Sequence, residues 1–307
     1  MKSLKEALLN RPKTSEIGQN MRKQTTIEFL SKTYNLNAKY CEFIEESDII
    51  IVNVKCDVFY GTKEDGWSHR HMGTDEPLLS ITNGAFKFGK VDGNFIIASS
   101  DDLTSLEGAP HHVGGKFQCF RCSKLKTLEG APKYVGGDFR CCFCKNLESL
   151  EGAPKYVGGY FDCSNNENLK TLKGAPEKFC QGFNCSYCGN LMSLEGAPKI
   201  VAGNFNCDYC ISIKNLKGAP EKIGGDFKCK FCYSLETLQG DLKSVKNISI
   251  IKSQIENLVG IPYNCQEIVL IDCRKLTSFE GVSNKTFIRY SGCPVNYFAK
   301  PKRYKRF

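Results

Sequence analysis

Apolar residues fall into fixed columns through the middle of this chain, with freely varying polar positions between them. Phe117, Phe139, Phe161, Phe183, Phe205 and Phe227 make one column. Cys119, Cys141, Cys163, Cys185, Cys207 and Cys229 make the next, and both columns step by 22 residues. Written over Phe139 to Tyr160, the unit is F-x-C-x-x-C-x-x-L-x-x-L-x-G-A-P-x-x-V-G-G-x. Phe139-Arg140-Cys141 alternates apolar, polar, apolar, which predicts a short strand with one face buried. Cys144, Leu147 and Leu150 follow at steps of three, Gly152-Ala153-Pro154 turns the chain, and Val157 returns it to the core before Gly158-Gly159. Proline cannot donate to a ladder, so that side of the coil is expected to be extended but outside a sheet.

Self-similarity at this period predicts a solenoid in which each unit buries its apolar face only by stacking on its neighbours. The columns continue beyond the Gly-Ala-Pro block. Phe95, Ile97, Ser100, Leu103 and Leu106 fit one period upstream; Ile248 with Ile250, Ile268 with Leu270, and Ile288 with Tyr290 and Cys293 fit downstream at a shorter period. The expected architecture is a β-rich, right-handed coil of the leucine-rich-repeat kind, with about ten coils over residues 95–295 and a parallel sheet on its concave face. Residues 1–94 are expected to form a small α+β cap, and residues 296–307 a basic tail.

In the cap, Ser3 to Leu9 and Asn20 to Tyr34 read as helices, the second with Ile27, Leu30 and Tyr34 on one face. Residues 49–60 alternate as a strand, with Val52, Val54, Cys56 and Val58 on one side. Asn83-Gly84 between Leu79–Thr82 and Ala85–Phe88 signals a hairpin.

Eighteen cysteines in 307 residues change the picture only if they are more than packing. Most lie in the repeat columns. Neighbouring strands stand about 4.8 Å apart, within the reach of a disulfide, but no signal peptide or long apolar run is visible and the expected compartment is the reducing cytoplasm. Five C-x-x-C pairs, such as Cys119/Cys122 and Cys229/Cys232, have zinc-like spacing. In the coil that begins at Phe161 the second position is Asn166, which points to a structural role; no metal ligand and no cofactor is assigned. His69 and His71 beside Trp67 supply two possible ligands, too few for a site.

Formal net charge is +9, and five of the positive residues sit in the last eight, leaving +4 for the rest. That balance does not mark the whole chain as a nucleic-acid binder. No nucleophile–base arrangement, phosphate loop or dinucleotide fingerprint is present, so no catalytic residue is assigned and an enzyme is not expected.

The outward positions are the better candidates. The residue between phenylalanine and cysteine reads Gln118, Arg140, Asp162, Asn184, Asn206, Lys228; the residue before the second cysteine reads Arg121, Phe143, Asn165, Tyr187, Tyr209, Phe231. A row of exposed aromatics suits a protein interface. Arg140, Phe143, Asp162, Tyr187, Asp208, Tyr209, Lys228, Lys230 and Phe231 are therefore the expected contacts for a protein partner. The competing expectation is nucleic acid, held by Lys300, Lys302, Arg303, Lys305 and Arg306 and by the Tyr/Phe/Lys surface. No membrane contact is expected.

The segment Ile261-Pro262 to Ile268-Val269-Leu270, with Pro262, Cys265, Ile268 and Leu270 at matching spacing, resembles the short leucine-rich repeats of bacterial type III secretion effectors. The Gly-Ala-Pro coils carry extra residues and are more similar to repeat proteins of unknown role in bacteria and their phages. The resemblance spans roughly residues 90–295. It implies a protein-binding scaffold acting in a host cytoplasm or, for a phage protein, in the virion. With about a dozen residues after the last coil, the effectors' ubiquitin-ligase domain is not expected in this sequence.

Overall fold

The computed structural model describes residues 16–46, 49–60, 80–84, 86–177, 179–295 and 304–306. The Ser3–Leu9 segment, the Trp67–His71 stretch, Lys300, Lys302 and Arg303 lie outside the described residues. The chain is a parallel β-solenoid with one helix near its start, α1 (Glu16–Tyr34), and a 3-10 turn at Ala38–Tyr40. Ten strands from Phe95–Ala98 to Phe287–Ser291 stand in one column of a long sheet and so enclose about nine full turns.

The register of this sheet is the sequence period made physical. Phe117 pairs Phe139, Phe139 pairs Phe161, Phe161 pairs Phe183, and so on to Phe205 with Phe227. Their rings stack inside the coil at 5.1–5.8 Å from Phe95 through Phe227. Each ring is fully buried, worth about 1.5–3 kcal/mol of transfer free energy, with roughly 0.5–1.5 kcal/mol more per aromatic contact. Beneath them the cysteine and leucine columns are also excluded from solvent.

The Gly-Ala-Pro turns work through glycine. Gly152 has φ +89°, and a Cβ there would stand 2.4 Å from the backbone of Leu128 and Glu129 in the preceding coil. At Gly158 the conformation is ordinary, but a Cβ would lie 2.2 Å from the carbonyl oxygen of Gly136. At these two positions glycine lets consecutive coils approach closely, although the Gly158 column also holds Gln181 and Ala202 in later coils.

Three expectations are corrected. First, the side read as extended and outside a sheet carries a second parallel sheet. Its two-residue strands, His112–Val113, Tyr134–Val135 and Tyr156–Val157, pair in register. Proline lies two residues ahead of these strands, so its missing N–H does not interrupt them.

Second, residues 49–60 are two strands. Ile49–Val54 belongs to the second sheet and Val58–Tyr60 to the long sheet, pairing Phe95–Ile97. Both sheets therefore begin ahead of Phe95.

Third, Asn83-Gly84 forms a turn with positive φ at both residues, and among the described residues its flanks do not pair with each other as a hairpin; Leu79 and Ala85 lie outside the described residues. The chain before it is held by the next coil, through the Ile81 N–H donating to Glu107 O at 3.1 Å. The following strand, Lys87–Val91, pairs in parallel with Ile49–Val54.

Helix α1 closes the first coil. Leu30 and Tyr34 are buried, Tyr34 packs edge-on against Phe88 at 5.4 Å, and its hydroxyl donates to Ile81 O. At the other end Tyr304–Arg306 pairs in parallel with Phe287–Ser291. Part of the basic tail is thus the last strand of the long sheet, an edge protected by charge. No helix among the described residues is long and apolar enough to cross a membrane.

Candidate functional site

The second cysteine of each pair has a donor's task. Cys144, Cys188, Cys210 and Cys232 place Sγ 3.0–3.3 Å from the carbonyl oxygens of Cys119, Cys163, Cys185 and Cys207, 25 residues back in each case. Asn166 does the same with its amide, donating to Cys141 O at 2.9 Å, and its side-chain oxygen accepts the Cys144 N–H at 2.7 Å. Thiol and amide are interchangeable here because both donate to a buried carbonyl that would otherwise lack a partner. Burial holds the Cys141 and Cys163 thiols well above their usual range and pushes Cys180 up to about 12, so these groups stay protonated.

The polar ladder on the outward face is also committed to the backbone. Asp162 accepts the N–H of Ser164 at 3.0 Å, Asn184 that of Ser186 at 3.1 Å, and Asn206 that of Asp208 at 2.9 Å. These are Asx turns, and each strand ends at the Asx residue, one past the phenylalanine. Asp208 accepts the Lys230 N–H at 2.7 Å, and burial raises its carboxyl above the usual range. Arg140 is ion-paired to Asp138 at 3.3 Å, while Lys228 and Lys230 are half-buried beside Asp208. Of the expected contact residues, Asp162, Asp208 and Arg140 are therefore already engaged within the fold.

The aromatic row is assembled as a continuous edge. Every residue of that column takes a left-handed backbone: Arg121, Phe143, Asn165, Tyr187, Tyr209 and Phe231 have φ of 56–60°, and Lys252 follows at 54°. Asparagine suits that region; a ring there costs about 1–2 kcal/mol. Tyr187 stacks on Tyr209 at 4.4 Å and Tyr209 on Phe231 at 4.5 Å. Lys252 lies over the outer face of Phe231 at 5.5 Å, and Arg121 lies over Phe143 at 5.9 Å. The Asn165 coil separates Phe143 from the stack of three.

Two residues missed in the sequence complete the patch. Ile211 and Tyr233 occupy one position, two residues after Tyr209 and Phe231, and are 43% and 47% exposed. Tyr233 meets Phe231 edge to face at 6.2 Å. With Tyr187, itself 48% exposed, they form one apolar surface across three coils. The available signal was the residue after the second cysteine, which is Ser123 and Lys145 in the early coils but Ile211 and Tyr233 here.

A second exposed stack, also missed, runs along the other sheet. His112, Tyr134 and Tyr156 stack at 4.4 and 4.7 Å, and the exposed Phe179 and Ile200 extend that side. Phe179 is turned out because Cys180 fills the buried slot held by Val201 in the next coil; a phenylalanine there would overpack it.

Among the described residues, one set of potential metal ligands converges: Cys207, Cys229 and Cys232, all buried, with sulfurs within 4.8 Å of one another. Fifteen of the eighteen cysteines are buried, and every one is free of a disulfide. No protein-family model, no curated protein and no solved structure matches the chain.

Proposed function

We propose that this chain is a non-enzymatic scaffold of leucine-rich-repeat type that binds another protein through the aromatic edge of its long sheet. The observation that carries the reading is the patch of Tyr187, Tyr209, Phe231, Ile211 and Tyr233. Three of its rings are held in a strained backbone region where asparagine would serve the fold more cheaply. Retained backbone strain at an exposed site is a pointer to function, and tyrosine-rich apolar surface flanked by charge is the composition of binding hot spots. Lys228, Lys230 and Lys252 border the patch and favour a partner with acidic residues around an apolar centre.

The same geometry weighs against the competing nucleic-acid reading. Rings stacked at 4.4–4.5 Å turn their faces to one another, so a base finds edges where it needs a platform. Binding by the tail would show as retention on DNA that falls steeply with salt and disappears when residues 300–307 are removed.

The direct test replaces Tyr187, Tyr209 and Phe231 together by asparagine, the residue that already occupies this column at Asn165. Affinity capture from the native cell followed by mass spectrometry should identify a partner with the natural chain and lose it with the triple variant, at unchanged circular dichroism. Capture of the same proteins by both would place the binding surface elsewhere.

A further inference from the structure

The buried thiols fall into two groups, and one departs from the structural pattern. In three of the coils the first-column cysteine lies against a carbonyl of the next coil. Cys163 meets Asn184 O at 3.4 Å, Cys185 meets Asn206 O at 3.5 Å, and Cys207 meets Lys228 O at 3.2 Å. Cys229 is the last of the column. Between its strand and the next the register changes: Ile223 pairs Val245, 22 residues on, whereas Phe227 pairs Ile248, 21 residues on, with an irregularity between Ile223 and Asp226. Past that step the column continues as Ile250, and among the described residues the Cys229 thiol, like those of Cys119 and Cys141, meets no carbonyl acceptor. Its sulfur faces those of Cys207 and Cys232 instead.

We propose that Cys207, Cys229 and Cys232 form a binding site for a soft, low-coordinate d10 cation of the copper(I) class, built where the repeat changes period. Three sulfurs each about 2.3 Å from a metal in a trigonal arrangement stand about 4 Å apart, and these three already converge within 4.8 Å. The donor set is all thiol, which selects soft ions over magnesium, calcium or manganese. Among the described residues no histidine or carboxylate joins the cluster, and the three cysteines are fully excluded from solvent. Zinc, which takes four ligands in structural sites, would lack its fourth. Binding exchanges thiol protons for the cation, and the carbonyls of Cys207 and Lys228 lose the S–H donors they hold in the metal-free chain. Three coils upstream, the second-column position is Asn166, an amide that makes the structural contact without a thiol.

That interchange supplies the test. The reduced full-length chain, kept anaerobic, is titrated with copper(I) against a competing copper(I) chelator, with a parallel zinc(II) titration. One tight copper(I) equivalent per chain is expected, with a thiolate-to-copper charge-transfer band and a three-sulfur shell in X-ray absorption. Cys232→Asn should lose that equivalent while keeping its circular dichroism and melting temperature. Cys188→Asn, the same change two coils earlier, should retain it. Cys229→Ala removes a ligand without adding a polar group and should also lose it, which covers a failure of Cys232→Asn to fold. Absence of a tight equivalent, its survival in Cys229→Ala, equal loss in Cys188→Asn, or stoichiometric zinc displacing copper(I) would each overturn the assignment.

Discussion

Upstream of Lys222 the strands of the long sheet are two to four residues long; from Lys222 onward they run to nine, eight, five and five before the three-residue edge strand Tyr304–Arg306. The strands from Phe117–Phe120 through Lys222–Lys230 carry phenylalanine and cysteine columns inside, whereas beyond them the same two columns are Ile248 with Ile250 and Ile268 with Leu270. The polar residue between the columns accounts for much of the contrast. Asp162, Asn184 and Asn206 take the N–H two residues on and bend the chain out of the ladder. Lys228, Ser249 and Val269 stand in the same column and lie within continuous strands. Arg140 lacks such a bond, yet its strand is short because a ladder extends no further than its partner, here Phe161–Asp162. Two chemistries thus build one coil: an upstream half of side chain-to-backbone bonds and thiols, and a downstream half of aliphatic strands.

The largest expected difference between the halves is their response to alkali. Burial raises Cys141 and Cys163 well above 9 and takes Cys142 and Cys180 to about 12, all upstream. Downstream, Cys265 is likewise held at about 12. A thiol raised in the folded state keeps its proton while the unfolded chain gives its own up. Its contribution is therefore complete below the unfolded value of 9 and lost as pH rises toward the folded one. Each such thiol removes about 1.4 kcal/mol per pH unit in that window, so the four upstream thiols together remove roughly 5–6 kcal/mol per unit. Under reducing conditions the melting temperature should stay level from pH 7 to 8.5 and fall steeply above 9. Hydrogen exchange should show the upstream coils opening first. Uniform loss across both halves would mean that the thiols do not divide them.

Truncation of the phenylalanine stack should come next. Phe161→Ala removes a ring sandwiched between Phe139 and Phe183 at 5.1 Å on each side and is expected to cost about 3–5 kcal/mol in chemical denaturation. The downstream change Ile268→Val, which deletes one methylene from a column without stacking, should cost about 0.5–1.5 kcal/mol.

How much of this was legible follows from which positions carry a period. The columns are legible because every coil must fill the same slot, and the long sheet and its core followed from them. The second sheet was not, because its strands within the Gly-Ala-Pro coils are two residues long and Lys-Tyr-Val after a proline carries no alternation to read. The start of the solenoid was hidden because Val54 and Val58 stand for the valine and phenylalanine columns, with residues 61–79 inserted before the next coil. At the surface, the aromatic row was visible as a column. The engagement of Asp162 and Asp208 was not, since a carboxylate that binds a partner and one that ends a strand look the same in a sequence.

A smaller effect separates the two cysteine columns. Cys188→Asn should change stability by less than about 1 kcal/mol, because Asn166 already shows the amide reaching the required carbonyl. Cys185→Asn places the same amide in a column continued downstream by Ile250 and Leu270, where it should cost about 2–3 kcal/mol through unpaired buried polar atoms. Equal costs in urea titrations would remove the distinction between a donor column and a packing column.

The smallest expected effect bears most on function. Tyr209→Asn deletes two ring contacts, each worth about 0.5–1.5 kcal/mol. It also relieves a left-handed backbone conformation that costs a tyrosine about 1–2 kcal/mol and an asparagine much less, as in the Asn165 coil with φ 59°. The two terms nearly cancel, so the melting temperature should move by no more than a few degrees. That balance separates a ring kept for the fold from a ring kept for a partner: if the fold needed the stack, its loss would exceed the strain released. A destabilisation above about 2 kcal/mol would make the aromatic edge a brace for the coil. A near-zero change alongside lost partner capture would mean that the upstream half tolerates strain in its backbone because the exposed rings do their work outside the molecule.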